Sequence, residues 1–135
     1  MTKILVVDDL ESHLYLAKSL LEPNGYEVVI AGSRDEALHA LRNKGPFDLI
    51  ISDIGMPQGN GFDFIAKVKS DERFRDIPFV FITATYWEGS DKKKAQELGA
   101  AKLIFRPMEA RAILTEIEEV LPPEKRAKPF QNSND

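Results

Sequence analysis

The chain has 135 residues, of which 43% are hydrophobic and 30% charged, with a formal net charge of -4. This length fits one domain that buries enough surface to hold a core of its own. There is no cysteine, which excludes disulfides, zinc–thiolate sites and cysteine nucleophiles and permits a reducing compartment. The acidic balance does not favour direct nucleic-acid binding, because phosphate backbones attract basic surfaces.

The N-terminal segment carries no targeting or membrane signal. Its apolar run, residues 4–7, is short and leads directly into Asp8 and Asp9. A secretory signal or a membrane span needs a longer apolar stretch. We therefore expect a cytoplasmic protein without membrane contact.

Short runs rich in Val, Ile, Leu and Phe alternate along the chain with longer runs whose apolar residues recur every three or four positions. The short runs predict buried strands, and the longer runs predict amphipathic helices. In chain order, the predicted elements are a strand at 4–7, a helix at 12–21, a strand at 26–31, a helix from 33 to before 45, a strand at 49–51, a helix at 62–69, a strand at 78–83, a helix from 90 or 91 to 98, a strand at 102–105 and a helix at 109–121.

Turn and capping residues support these boundaries. Gly25 follows the first helix, and the pair Gly45–Pro46 interrupts the second. The sequence Ser33-Arg34-Asp35-Glu36 is a capping-box pattern that predicts a helix start, and Ser90 or Asp91 is suited to cap the fourth helix.

Strict alternation of strands and helices predicts a doubly wound, five-stranded parallel sheet with helices on both faces, of flavodoxin-like type. We assign residues 1–121 to this domain. Residues 122–135 are polar and contain proline, and they predict a flexible C-terminal tail or the start of a linker. The chain is then either a stand-alone domain or one part of a longer protein.

Chemically active residues follow four of the five predicted strands. Asp8 and Asp9 follow the first strand, Asp53 the third, Thr83 ends the fourth, and Arg106 follows the fifth. Ligands of such sheets bind at the carboxyl ends of the strands. We therefore expect three carboxylates, one hydroxyl and one cation at the same edge of the sheet.

Three carboxylates in one cleft predict a bound cation. Two unit charges about 5 Å apart repel each other by roughly 3 kcal/mol at an effective dielectric constant near 20. An all-oxygen ligand set selects a hard ion, most plausibly Mg²⁺, although Ca²⁺ also remains open. A carboxylate beside such an ion is a plausible nucleophile toward phosphorus, and Thr83 and Arg106 are suited to contact phosphoryl oxygens.

The segments 4–9, 48–57 with Gly61, and 83–84 together resemble the receiver domains of two-component response regulators. The resemblance extends over about residues 3–121. It implies that Asp53 is the phosphoacceptor and that Thr83 is the switch hydroxyl. It further implies that the metal ligands are Asp9 directly, Asp8 partly through water, Asp53 and the backbone carbonyl of Gly55.

The resemblance also implies partners. A sensor histidine kinase would supply the phosphoryl group from a phosphohistidine, so the chain would act as a signalling receiver and not as an enzyme. A downstream protein target would bind the face formed by the fourth helix, fifth strand and fifth helix. A homodimer is compatible with this interpretation.

Two positions depart from the family pattern. The basic residue before the proline is usually lysine, whereas here it is Arg106. Three positions earlier, where the family usually has an aromatic switch residue, the chain has Leu103, with aromatic residues nearby at Tyr86, Trp87 and Phe105. Arginine does not replace lysine conservatively at a tight phosphate site. These departures leave open a receiver-like interaction module that does not switch.

Other functions fit the sequence less well. A phosphatase with an aspartyl nucleophile would need a second acid two residues later, where the chain has Gly55. A nucleotide-binding enzyme would need a glycine-rich loop after the first strand. We interpret His13 and His39 as surface residues, and Tyr86–Trp87 as either a lid or a partner contact.

Overall fold

The computed structural model describes residues 1–55, 61–83, 89–106 and 108–127. The strands are Lys3–Val7 (β1), Glu27–Ala31 (β2), Leu49–Ser52 (β3), Phe79–Thr83 (β4) and Lys102–Phe105 (β5). The α-helices are Glu11–Leu21 (α1), Arg34–Asn43 (α2), Gly61–Ser70 (α3), Gly89–Glu97 (α4) and Ala110–Val120 (α5). Within these ranges, no helix has the length and apolar character needed to cross a membrane.

All five strands belong to one parallel sheet with the order β2-β1-β3-β4-β5. The chain runs from β1 outward to β2 and then returns to β3 on the other side of β1. This reversal creates a switch point between β1 and β3, where open sheets of this kind bind ligands. The predicted fold class is confirmed.

Helices cover both faces of the sheet. Leu5 and Val7 of β1 belong to one core cluster, which also contains residues of α2, α3 and α4. Ile4 and Val6 belong to a second cluster on the opposite face, with residues of α1 and α5. Because both faces are buried, the central strands are continuous apolar runs and do not alternate with polar residues.

The observed boundaries agree with the predicted ones to within a few residues. The Ser33 hydroxyl accepts a hydrogen bond from the Glu36 backbone N–H at 3.1 Å, as a capping box requires. The Glu36 carboxylate accepts instead from the backbone N–H of Gly32 at 2.7 Å, one residue before the cap. The side chains proposed to cap α4, Ser90 and Asp91, lie outside the described residues.

The segment after α5 contacts the domain. A short 3-10 helix, Pro123–Lys125, follows Leu121, and Lys125 Nζ lies 3.1 Å from Asp48 Oδ1. The backbone N–H of Ala127 donates to the Tyr26 hydroxyl at 3.0 Å. The stretch predicted as tail or linker therefore begins with residues that pack on the domain, while 128–135 lie outside the described residues. The domain boundary at 121 stays a prediction.

Candidate functional site

Backbone hydrogen bonds that continue the sheet ladder bring the strand ends together. The N–H of Asp8 donates to Ala31 O at 3.1 Å, and the N–H of Asp53 donates to Val7 O at 2.9 Å. The N–H of Arg106 donates to Thr83 O at 2.8 Å. The residues predicted at the carboxyl edge of the sheet are thus fixed by the backbone, whatever the conformations of their side chains.

Three carboxylates form a cluster at this edge. One oxygen each from Asp8, Asp9 and Asp53 lies within 4.8 Å of the other two. Asp8 is buried, with 3% of its surface exposed, whereas Asp9 is exposed and Asp53 is half-buried. The folded chain therefore brings together the three acids that the sequence pattern selected, with one of them almost removed from water.

The environment of Asp53 opposes its negative charge. Burial raises the pKa of Asp53 above its ordinary value, and the nearby charge of Asp8 raises it further. The backbone N–H groups of Ile54, at 2.9 Å, and Gly55 and the hydroxyl of Thr83 donate to this carboxylate and partly offset the effect. The net upward shift shows that these donors do not fully compensate the cluster.

The cluster fits a hard divalent cation. Its donors are carboxylate oxygens, and Mg²⁺ prefers to be held by one or two carboxylates with water completing the coordination. A cation between Asp8 and Asp53 would also offset the repulsion that raises the Asp53 pKa. Asp8, Asp9 and Asp53 are the residues that would hold it, and Gly55 is exposed next to them.

Both oxygens of the Asp8 carboxylate have neighbouring donors. Oδ1 accepts from the Leu10 backbone N–H at 3.0 Å, which closes a turn at the start of α1. Oδ2 lies 2.9 Å from Nδ1 of His13 and 3.4 Å from Nη1 of Arg106. The carboxylate is therefore held by α1 on one side and approached by the residue after β5 on the other.

Arg106 points into the site. Its side chain is 19% exposed, and Nη1 lies 3.1 Å from His13 Nδ1 as well as 3.4 Å from Asp8 Oδ2. The cation at the end of β5 is thus directed toward the acid cluster, where its described ion-pair partner is Asp8. The sequence pattern selected Arg106 but did not indicate which acid it would meet.

The prediction that His13 is a surface residue is wrong. Its side chain is 19% exposed and contacts Asp8 and Arg106. The Asp8–Leu10 turn starts α1 immediately after β1, so the first turn of the helix lies over the strand end. The spacing of five residues from Asp8 does not by itself indicate this contact, because the rotation of α1 over β1 determines which way the imidazole faces. His39, in contrast, is exposed as expected.

The site opens into a cavity of about 610 Å³ between α1 and α5. Asp8, Asp53, His13 and Arg106 line its polar end. Apolar side chains from β1, β3, β4 and both helices line the remainder, among them Val6, Ile51, Ile82, Leu20 and Ile113. The acid cluster therefore lies at the polar end of a largely apolar cavity.

The remaining candidates have different placements. Leu103 is half-buried and packs against the core cluster that contains α3. Phe105 is also half-buried and pairs in register with Thr83. Tyr86 and Trp87, proposed as a lid or a partner contact, lie outside the described residues.

Residues 4–118 match the family model described as response regulator receiver domain. The response regulator SaeR of Staphylococcus aureus strain USA300 is 33% identical over 121 residues. That alignment covers 90% of this chain and 51% of SaeR, so the chain spans about half the length of this curated relative.

Solved structures give the same similarity in three dimensions. The chemotaxis protein CheY4 of Vibrio cholerae superposes with a TM-score of 0.84 at 31% identity, covering 90% of this chain and 99% of that one. The non-phosphorylated HemR receiver domain of Leptospira biflexa superposes with a TM-score of 0.78 at 33% identity, covering 89% and 94% respectively.

Proposed function

The chain belongs to the response regulator receiver domains of two-component signalling, and from this premise we propose that Asp53 accepts a phosphoryl group in a site completed by Mg²⁺. The observation that carries the proposal is the cluster of Asp8, Asp9 and Asp53 at the switch point of the sheet. Asp53, whose ionisation is disfavoured by burial and by the charge of Asp8, is suited to a cation and a phosphoryl group together.

Asp53 is the nucleophile in this proposal. One of its carboxylate oxygens attacks the phosphorus of a phosphohistidine, the P–N bond breaks with its electron pair returning to the imidazole, and an acyl phosphate forms. Bound Mg²⁺ would supply charge neutralisation at the transferring oxygens. Asp8, Asp9, Asp53 and the carbonyl of Gly55 are the proposed ligands.

Thr83 and Arg106 respond to the new charge. The Thr83 hydroxyl already donates to Asp53, and on phosphorylation it would donate to a phosphoryl oxygen. Arg106 lies at Asp8 and contributes a positive charge to the site. Movement of Thr83 is the proposed start of a population shift in the domain.

The partners follow from the same proposal. A sensor histidine kinase is the phosphoryl donor, and a downstream protein binds the face of α4, β5 and α5, in a cytoplasmic setting. The domain assists its own phosphorylation and dephosphorylation and otherwise signals without catalysing a reaction on a separate substrate. Homodimerisation through the output face is one way in which this signal is passed on.

Acetyl phosphate provides a direct test. Incubation of the full chain with acetyl phosphate and Mg²⁺ should add the mass of one phosphoryl group, detected by intact mass spectrometry. Asp53→Asn should abolish the gain, because an amide is not a nucleophile toward phosphorus. Asp35→Asn, which changes an exposed acid in the first turn of α2, should leave it unchanged.

Chelation of Mg²⁺ should prevent the reaction in the wild-type chain. The absence of a mass gain in the wild type, or a gain that persists in Asp53→Asn, would contradict the proposal. Either result would leave the family membership unaffected, because that rests on the match to the family model and not on phosphorylation.

A receiver-like module that does not switch is the second candidate. The observation that favours it is the proximity of Arg106 to Asp8, together with a packed Leu103 in place of an aromatic residue. Backbone amide spectra before and after acetyl phosphate treatment distinguish the two. Phosphorylation of a switching receiver shifts the amide resonances of β4 and β5, including those of residues far from Asp53. In the module that does not switch, these resonances stay unchanged.

A further inference from the structure

We propose that His13 is a positioning residue of this site, which orients Asp8 for the cation and holds Arg106 at the outer range of its ion pair with the same carboxylate oxygen. The inference rests on the proposed function, because it assigns Asp8 to the metal. The observation behind it is the meeting of one carboxylate, one imidazole and one guanidinium at the end of β1.

Two donors approach the same carboxylate oxygen. Asp8 Oδ2 lies 2.9 Å from His13 Nδ1 and 3.4 Å from Arg106 Nη1. A ring nitrogen that donates its proton to Asp8 has no lone pair left to accept one from Arg106. The 3.1 Å approach of Arg106 Nη1 to His13 Nδ1 is therefore a contact between two donors. Of these two nitrogens, His13 Nδ1 lies closer to Asp8 Oδ2.

The two bonds to Asp8 fix its carboxylate plane. Oδ1 accepts from the Leu10 N–H at 3.0 Å, and the side chain is only 4% exposed. Oδ1, which accepts from Leu10, has a second lone pair that can bind a metal or a metal-bound water. Hydrogen-bonded partners of this kind orient metal-ligating carboxylates and contribute to metal affinity.

His13 also limits what Arg106 can do. Without the imidazole, the guanidinium could approach Asp8 with two parallel N–H···O bonds, which is the strongest geometry available to such a pair. A carboxylate neutralised in that way competes poorly for a divalent cation. With His13 in place, Arg106 Nη1 stays 3.4 Å from Asp8 Oδ2, at the outer range of an ion pair.

Magnesium affinity of the unphosphorylated full chain tests the orienting role. We expect His13→Leu to weaken Mg²⁺ binding, measured by isothermal titration calorimetry, by about tenfold, the lower range for loss of such a partner. His13→Asn should bind Mg²⁺ nearly as well as the wild type, because its side-chain amide N–H stands where Nδ1–H stood. Wild-type affinity in His13→Leu, or equal weakening in both variants, would overturn the proposal.

A double-mutant cycle tests the competition with Arg106. We expect the loss caused by His13→Leu to be smaller in an Arg106→Met background, where no guanidinium can occupy Asp8. An equal loss in both backgrounds would overturn this half of the proposal. Thermal unfolding without Mg²⁺ checks that every variant is folded.

A spectroscopic readout distinguishes positioning from packing. In the metal-free wild type, the ¹⁵N spectrum should show His13 with a protonated Nδ1, and an unprotonated Nδ1 would overturn the assignment. The acetyl phosphate assay is run on the same samples. If the wild type gains no phosphoryl mass, the proposed function fails, while the Mg²⁺ comparison still decides the role of His13.

Discussion

Asp53 is subject to two opposing influences. Burial and the charge of Asp8 favour its protonated form, whereas the Thr83 hydroxyl and two backbone N–H groups favour its ionised form. The first influence is the larger, so the ionised carboxylate costs stability in the metal-free protein. The proposed chemistry uses this same charge, because a cation and a phosphoryl group relieve the repulsion that the fold creates.

Replacing Asp53 by asparagine should therefore stabilise the metal-free domain at neutral pH. The pKa of Asp53 is higher in the folded state than in the unfolded state. At pH values between the two, the folded state binds more protons, so the stability of the wild type falls as the pH rises through that range. We expect Asp53→Asn to melt a few degrees higher near pH 7, with a smaller advantage in acid. Thermal unfolding across that range is the measurement, and Mg²⁺ should narrow the difference.

The opposite order of melting temperatures at neutral pH would show that the donors around Asp53 outweigh its burial. Asp35→Asn is the matched control, because it removes an exposed carboxylate from another part of the fold.

Helix α3 begins directly against the backbone of Asp53 and Ile54. The N–H of Gly61, its first residue, donates to Ile54 O at 2.6 Å. A Cβ at this position would lie 2.5 Å from the carbonyl oxygen of Asp53 and 2.8 Å from the Phe81 ring. The glycine is required by this close approach, which joins the start of one element to the end of another.

Gly61→Ala should consequently disturb both the packing and the site. Since the added carbon meets backbone and a buried ring, we expect a loss of about 1–3 kcal/mol in unfolding free energy, as in other overpacked cores. Phosphorylation by acetyl phosphate should also slow, because the Asp53 backbone must shift. Denaturant unfolding and the mass assay measure the two effects.

Gly32→Ala is the control for Gly61→Ala, because it adds the same carbon at a position with more space. An added Cβ at Gly32 would lie 3.5 Å from the Glu36 carboxylate, which is an ordinary van der Waals contact. A similar stability loss in the two variants would mean that the close approach at Gly61 does not determine its effect.

Tyr26 connects distant parts of the molecule. It is buried at the entrance to β2, and its hydroxyl donates to Glu118 of α5 and accepts from the Ala127 N–H. Burial and the bond to Glu118 raise the pKa of Tyr26 to about 12. One hydroxyl thus joins the sheet, the last helix and the segment that follows it, on residues that are far apart in sequence.

The stability of the whole domain should therefore fall in alkali. Between the ordinary tyrosine pKa of 10.0 and about 12, the folded state keeps a proton that the unfolded state releases, so stability decreases as pH rises. Tyr26→Phe should remove this dependence and cost about 1–2 kcal/mol at neutral pH through lost hydrogen bonds. The measurement is denaturant unfolding of both proteins at neutral pH and at a pH between 10.0 and about 12.

Tyr15→Phe, at an exposed position on α1, should keep the alkaline loss. If Tyr26→Phe shows the same loss as the wild type, the hydroxyl does not link the three parts energetically.

Much of the architecture follows from the sequence because local patterns encode it. The run Ile4–Val7 is apolar at every position, as a strand buried on both faces requires, and its alternation with segments of helical periodicity predicts the parallel sheet. The positions of Asp8, Asp9 and Asp53 follow in turn, because parallel strands end at one edge. Their meeting was predictable without any knowledge of side-chain conformation.

The tertiary structure alone decided the contacts that depend on how elements pack. The five-residue step from Asp8 to His13 crosses a turn, and the rotation of α1 over β1 determines whether the imidazole faces solvent or the carboxylate. The partner of Arg106 and the packing of Ala127 on Tyr26 likewise join residues about a hundred positions apart. Periodicity specifies which face of an element is apolar, but distances between side chains arise only when several elements pack against one another.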